Sequence, residues 1–106
     1  MIEVDQSKRA TILYKGLSSS YVSRLESLLV QKGYEINDTG HVVPKNRSED
    51  YPKTNTNVYA PVGYLKRCIN GDLGYFNIQN IDKEELAPYI AELFNICEEV
   101  RKIDED

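Results

Sequence analysis

Histidine and cysteine are scarce in this chain of 106 residues, which holds one histidine, His41, and two cysteines, Cys68 and Cys97. That scarcity excludes a good deal. A transition-metal site wants several His, Cys or carboxylate ligands at helical or turn spacing, and one histidine with two distant cysteines does not supply them. Histidine catalysis needs a nucleophile or carboxylate in reach, and no such constellation is readable around His41, so a surface histidine at a hairpin is the plainer reading. An enzyme would require a pocket joining His41 to a carboxylate such as Glu35. The two cysteines are too few and too far apart for a disulfide scaffold. Each lies in an apolar pattern, which suits a buried, reduced thiol.

Long apolar runs are also missing. None approaches the roughly 20 residues of a membrane span, and the N-terminus, which mixes Glu3 and Asp5 with Lys8 and Arg9, does not read as a signal peptide. A cytoplasmic protein without a membrane partner is the expectation. Neither a glycine-rich phosphate loop nor a dinucleotide fingerprint is present, so no cofactor is expected. The run Ser18-Ser19-Ser20 invites an anion-binding reading, but without that loop and its lysine, helix capping explains it better.

What is present fits one domain. An apolar fraction of 41% and a charged fraction of 28% match a globular chain, and the length suffices for a single core. The net charge of −4 hides a division: residues 71–106 carry ten acids and three bases, a net −7, whereas residues 1–70 carry a net +3. Opposite signs in the two halves bear on partners rather than on fold.

Residues 9–15 are rich in β-branched and aromatic types and read as a strand ended by Gly16. A helix follows to about Lys32, with Tyr21, Val22, Leu25, Leu28 and Leu29 on one face, Leu17 packed back as a staple, and Gly33 as its cap. Residues 34–37 and 41–44 read as a hairpin turning at Asp38-Thr39-Gly40. Residues 44–57 form a long polar loop whose one large ring is Tyr51. Residues 58–69 admit a helix begun by Pro61 or the first arm of a hairpin turning at Asn70-Gly71. The hairpin is preferred because Gly63 weakens the helix. Residues 74–78 are a strand, and residues 82–102 a helix with Asp82 and Glu85 spaced as a capping box, Pro88 kinking it or marking its true start, and a fraying tail at 104–106. The expected fold is therefore α+β: an antiparallel or mixed sheet of four to five strands against two helices, with Ile12, Ile36, Val42, Phe76 and Ile78 inside.

Two sets of residues suggest binding. Tyr51, Lys53, Asn55, Asn57, Tyr59, Tyr64, Lys66 and Arg67 mix π faces, amides and positive charge, which is the chemistry that holds nucleotides or single-stranded nucleic acid. The acids of the last helix, Glu92 and Glu99 among them, could instead form a docking surface for a basic partner. The leading expectation is a non-enzymatic protein that regulates or inhibits a macromolecular partner, most naturally a protein, through the acidic helix and the polar loop. The alternative is a nucleotide or single-stranded nucleic-acid binder using residues 51–67. A homo-oligomer through an exposed strip of the last helix stays open.

Overall fold

The computed structural model describes residues 2–105, and in it local sequence signals resolve into six strands and two helices. In chain order these are β1 (Glu3–Asp5), β2 (Thr11–Leu17), α1 (Ser19–Gln31), β3 (Tyr34–Ile36), β4 (His41–Pro44), β5 (Gly63–Lys66), β6 (Gly74–Gln79) and α2 (Ala87–Glu105). The strands make one antiparallel sheet in the order β1-β2-β6-β5-β4-β3. The expected α+β class holds, with one strand more than expected. That strand, β1, is three residues long and too short to show an alternation of its own, and it is held by pairing Val4 with Tyr14 of β2. Among the described residues no helix is long and apolar enough to cross a membrane.

Gly16 does not end its strand. At φ 74° it takes the left-handed conformation that glycine reaches without steric cost, and the ladder shifts register between Lys15 and Leu17. The resulting bulge turns Leu17 fully into the core. Ser18 then caps α1, its hydroxyl accepting from the Tyr21 N–H at 3.2 Å, as the capping reading requires. The ambiguous stretch before Asn70 is a hairpin arm. Asn70 and Gly71 have φ of 53° and 84°, the double positive φ of a two-residue turn whose twist matches the flanking strands. The capping box at Asp82 and Glu85 does not form. Asn80 turns the chain at φ 58°, a short 3-10 turn spans Glu84–Leu86 without a side-chain cap, and α2 begins at Ala87. Pro88 thus occupies the first turn, where its missing N–H costs nothing. The helix is continuous to Glu105; of the tail expected to fray, Asp106 lies outside the described residues.

Both helices cover the same face of the sheet. Tyr14, Phe76, Ile78, Val42 and Tyr34 point toward them and are buried, together with Leu25 and Leu29 of α1 and Leu93, Cys97 and Val100 of α2. Ile12 and Ile36, expected inside, are partly buried against this core. With no tryptophan and only two phenylalanines in the chain, tyrosine supplies much of the ring volume. A buried phenol must find a hydrogen-bond partner, and α2 provides three. Tyr14 Oη donates to Glu98 Oε2 (3.1 Å), Tyr21 Oη to the Cys97 carbonyl (3.0 Å) and Tyr34 Oη to Glu92 Oε1 (2.7 Å). Burial, reinforced by the neighbouring carboxylates, pushes the Tyr14 and Tyr34 phenols well above their ordinary range.

Candidate functional site

Because successive strand residues point to opposite faces, the face that α1 and α2 leave uncovered is defined by register. Pairing places His41 of β4 beside Tyr64 of β5, Tyr64 beside Asn77 of β6, and Tyr75 between Lys66 of β5 and Lys15 of β2. The rings form a continuous row, with His41 and Tyr64 centroids 5.1 Å apart and those of Tyr64 and Tyr75 5.9 Å apart, both pairs tilted. Within the same surface the Asn77 Oδ1 is buried and accepts no hydrogen bond from any described residue. An orphaned buried acceptor costs free energy unless a donor reaches it.

Charge lies around this row rather than in it. Glu3 and Asp5 stand on one edge strand and Glu35 on the other, with Lys15 and Lys66 between, so the rim carries both signs. Lys15 Nζ lies 3.5 Å from Asp5 Oδ2. The Ser7 side chain and N–H, the latter at 2.8 Å, hold the Asp5 carboxyl below its usual value.

At the His41 end the face is walled by the segment expected to be a plain polar loop. It has structure of its own: Lys53 and Tyr59 pair as an isolated antiparallel bridge, Thr54 N–H donates to the Val58 carbonyl (2.7 Å), and Asn57 turns the chain at φ 64°. Tyr51 anchors this small hairpin from below. It is 5% exposed, its hydroxyl donates to the Ala60 carbonyl at 2.7 Å, and its ring meets Tyr59 and Tyr89 edge-on. Between the hairpin tip and β4 opens a pocket of about 340 Å³, with Val43, Val58 and Pro61 among its walls and His41 and Asn37 lining it as well.

The polar side of that pocket is wired to the β3–β4 turn. Asn37 Oδ1 accepts from the backbone N–H of Thr39 (3.0 Å) and of His41 (2.9 Å), which identifies it as the oxygen. The Thr39 hydroxyl, 2.7 Å away, must therefore donate to it. Thr39 Oγ1 is then the acceptor for His41 Nδ1 at 2.9 Å. A neutral His41 accordingly carries its proton on Nδ1 and presents Nε2 as an acceptor.

The residues picked out from sequence are divided by this geometry. Tyr64 and Lys66 lie on the open face, and Tyr59 and Lys53 on the hairpin, with Asn55 and Asn57 exposed at its tip. The Arg47 guanidinium sits 3.9 Å and the Lys53 ammonium 5.2 Å from the Tyr59 ring centroid. Tyr51, expected to be a contact residue, is spent on holding the hairpin. Arg67 leaves the group, its Nε bonded to Glu26 Oε1 of α1 at 2.6 Å, which raises the guanidinium's affinity for its proton. Glu92 and Glu99 belong to the opposite side of the molecule, on α2, and Glu92 is already engaged by Tyr34. The carboxylate sought beside His41 does not line its pocket, where Thr39 is the imidazole's partner. Sequence reading missed Tyr75, Asn77 and Lys15 as members of one surface. The alternation of residues 74–79 was the available signal, but strand order was needed to bring them beside His41 and Tyr64.

No protein-family model, curated protein or solved structure matches this chain.

Proposed function

We propose that this chain is a non-enzymatic binding module that engages a protein partner through the open sheet face and the adjoining hairpin of residues 53–59. One observation carries the reading: a ring row, His41–Tyr64–Tyr75, that holds no acid, lysine or arginine and is surrounded by a rim of both signs. Protein interfaces have that anatomy, an aromatic centre depleted of charge within a polar rim, and tyrosine is prominent among their energetic anchors. A nucleic-acid surface would need one sign of charge along the strand's path. Glu3, Asp5 and Glu35 argue against that. The contact surface is thus moved from the acidic helix to the sheet, because Glu92 and Glu98 already serve buried tyrosines.

The test compares three forms of the full chain as baits in a lysate of the source cells: wild type, Tyr64→Ala/Tyr75→Ala, and Glu85→Lys/Glu99→Lys. A protein held by the first and third and lost from the second supports the reading. Loss confined to the Glu85→Lys/Glu99→Lys form returns the site to the acidic side formed by α2 and the turn before it, and overturns the reading. So does salt-sensitive binding of labelled single-stranded DNA or RNA by the wild type that exceeds its protein binding.

A further inference from the structure

Resting on that reading, we infer that the pocket between β4 and the hairpin tip receives one side chain of the partner, a tyrosine inserted ring first. The argument runs from the lining. No charged residue lines the pocket, so its occupant is uncharged. Val43, Val58 and Pro61 give it apolar walls, and about 340 Å³ stands at the small end of the range for ligand sites, room for one ring system rather than an extended ligand. Asn37, His41, Thr54, Thr56 and Tyr59 supply its polar lining, and the Thr54 and Thr56 hydroxyls bond each other at 3.0 Å. Asn37 commits its Oδ1 three times within the turn, and its amide nitrogen donates to no described residue. His41 uses Nδ1 on Thr39, which leaves Nε2 bare.

One donor and one acceptor in the same lining match a phenol hydroxyl, which donates and accepts through a single oxygen. An indole only donates and would leave the Asn37 amide unmet, and a phenylalanine would leave both groups unmet. The pocket is preorganised on its polar side, since the turn that fixes Asn37 and His41 is closed by its own hydrogen bonds. It is also continuous with the ring row through His41, so an anchor here and contacts at Tyr64 and Tyr75 would form one interface centre.

The experiment uses the full chain, labelled for NMR, titrated with p-cresol as the tyrosine side chain, toluene as the same ring without the hydroxyl, and adenosine as a nucleobase. Saturable shifts of the His41 ring and of the Val43 and Val58 methyls by p-cresol, with toluene about tenfold weaker, support the inference. Val58 is largely exposed (59%), so Val58→Trp should leave the fold intact and fill the pocket; the p-cresol shifts should then vanish, whereas Val30→Trp, the same change at a site on α1 that is 56% exposed and does not line the pocket, should retain them. Equal binding of p-cresol and toluene, no binding of either, or tighter binding of adenosine overturns it. The two readings fail separately. If p-cresol does not bind while a captured protein still depends on Tyr64 and Tyr75, the anchor is wrong and the face stands. If p-cresol binds and no protein depends on that face, the partner reading fails and takes the anchor's origin with it.

Discussion

Replacing Tyr51 by phenylalanine tests whether the hairpin beside the pocket is held from beneath by one hydroxyl. The substitution keeps the ring and its edge contacts with Tyr59 and Tyr89 but removes the 2.7 Å bond to the Ala60 carbonyl. Ala60 is 1% exposed, so water does not readily replace the lost donor. Orphaning a buried acceptor costs about 1–3 kcal/mol, and the lower half of that range applies here because the hairpin is peripheral and can shift to hydrate the carbonyl. The expected loss is therefore about 1–2 kcal/mol. Near 100 residues each kcal/mol lowers the melting temperature by about 4–8 °C. Urea unfolding measures the loss, and hydrogen exchange locates it: the Thr54 and Ala60 amides, bonded to the Val58 and Pro52 carbonyls, should exchange faster while those of β6 keep pace with global stability. A stability change below about 0.5 kcal/mol with unchanged exchange at Thr54 and Ala60 would refute the claim that this hydroxyl pins the hairpin. The choice of phenylalanine matters. Alanine would also delete the ring, and its larger effect would not separate the bond from the packing.

Gly63→Ala is expected to destabilise by about 1–3 kcal/mol in urea unfolding, because the added methyl would lie 2.7 Å from Cζ of the fully buried Phe76, which has nowhere to retreat; a neutral outcome would mean that the ring has slack the packing denies. Alkaline titration should also be telling. Burial pushes Tyr51 up to about 12, and Tyr14 and Tyr34 are raised as well. A phenol ordinarily titrates near pH 10. The neutral forms are therefore favoured by folding, and the associated stability is complete below about pH 10 and lost as pH climbs through about 12. Absorbance at 295 nm should show these three phenols ionising together with the loss of far-ultraviolet circular dichroism, whereas titration of all eight tyrosines near pH 10 with the fold intact would contradict their burial.

Much of the fold could be read locally. The serine cap and leucine stripe specify α1, the glycine-turned hairpin at 34–44 follows from its residues, and Asn70-Gly71 marks the β5–β6 turn, because each of these signals acts over a few residues of backbone. Two local signals misled. Gly16 reads as a terminator, yet a glycine in the left-handed conformation can continue a strand through a bulge, and only the pairing with β6 distinguishes the two. The spacing of Asp82 and Glu85 suits a capping box, but the turn at Asn80 sets the start of the helix elsewhere.

The candidate surface lay mostly beyond sequence. Composition established that this is a globular chain with divided charge and tyrosine in place of tryptophan, since those properties are sums over residues. Tertiary structure alone decided which tyrosines are core and which lie on the open sheet face: Tyr51 and Tyr64 look alike in the chain, yet one ends under a hairpin and the other on an uncovered sheet. Side-chain exposure depends on what the other strands and helices place above each residue, and strand order, set by packing between residues distant in the chain, brings His41, Tyr64, Tyr75 and Asn77 onto one face.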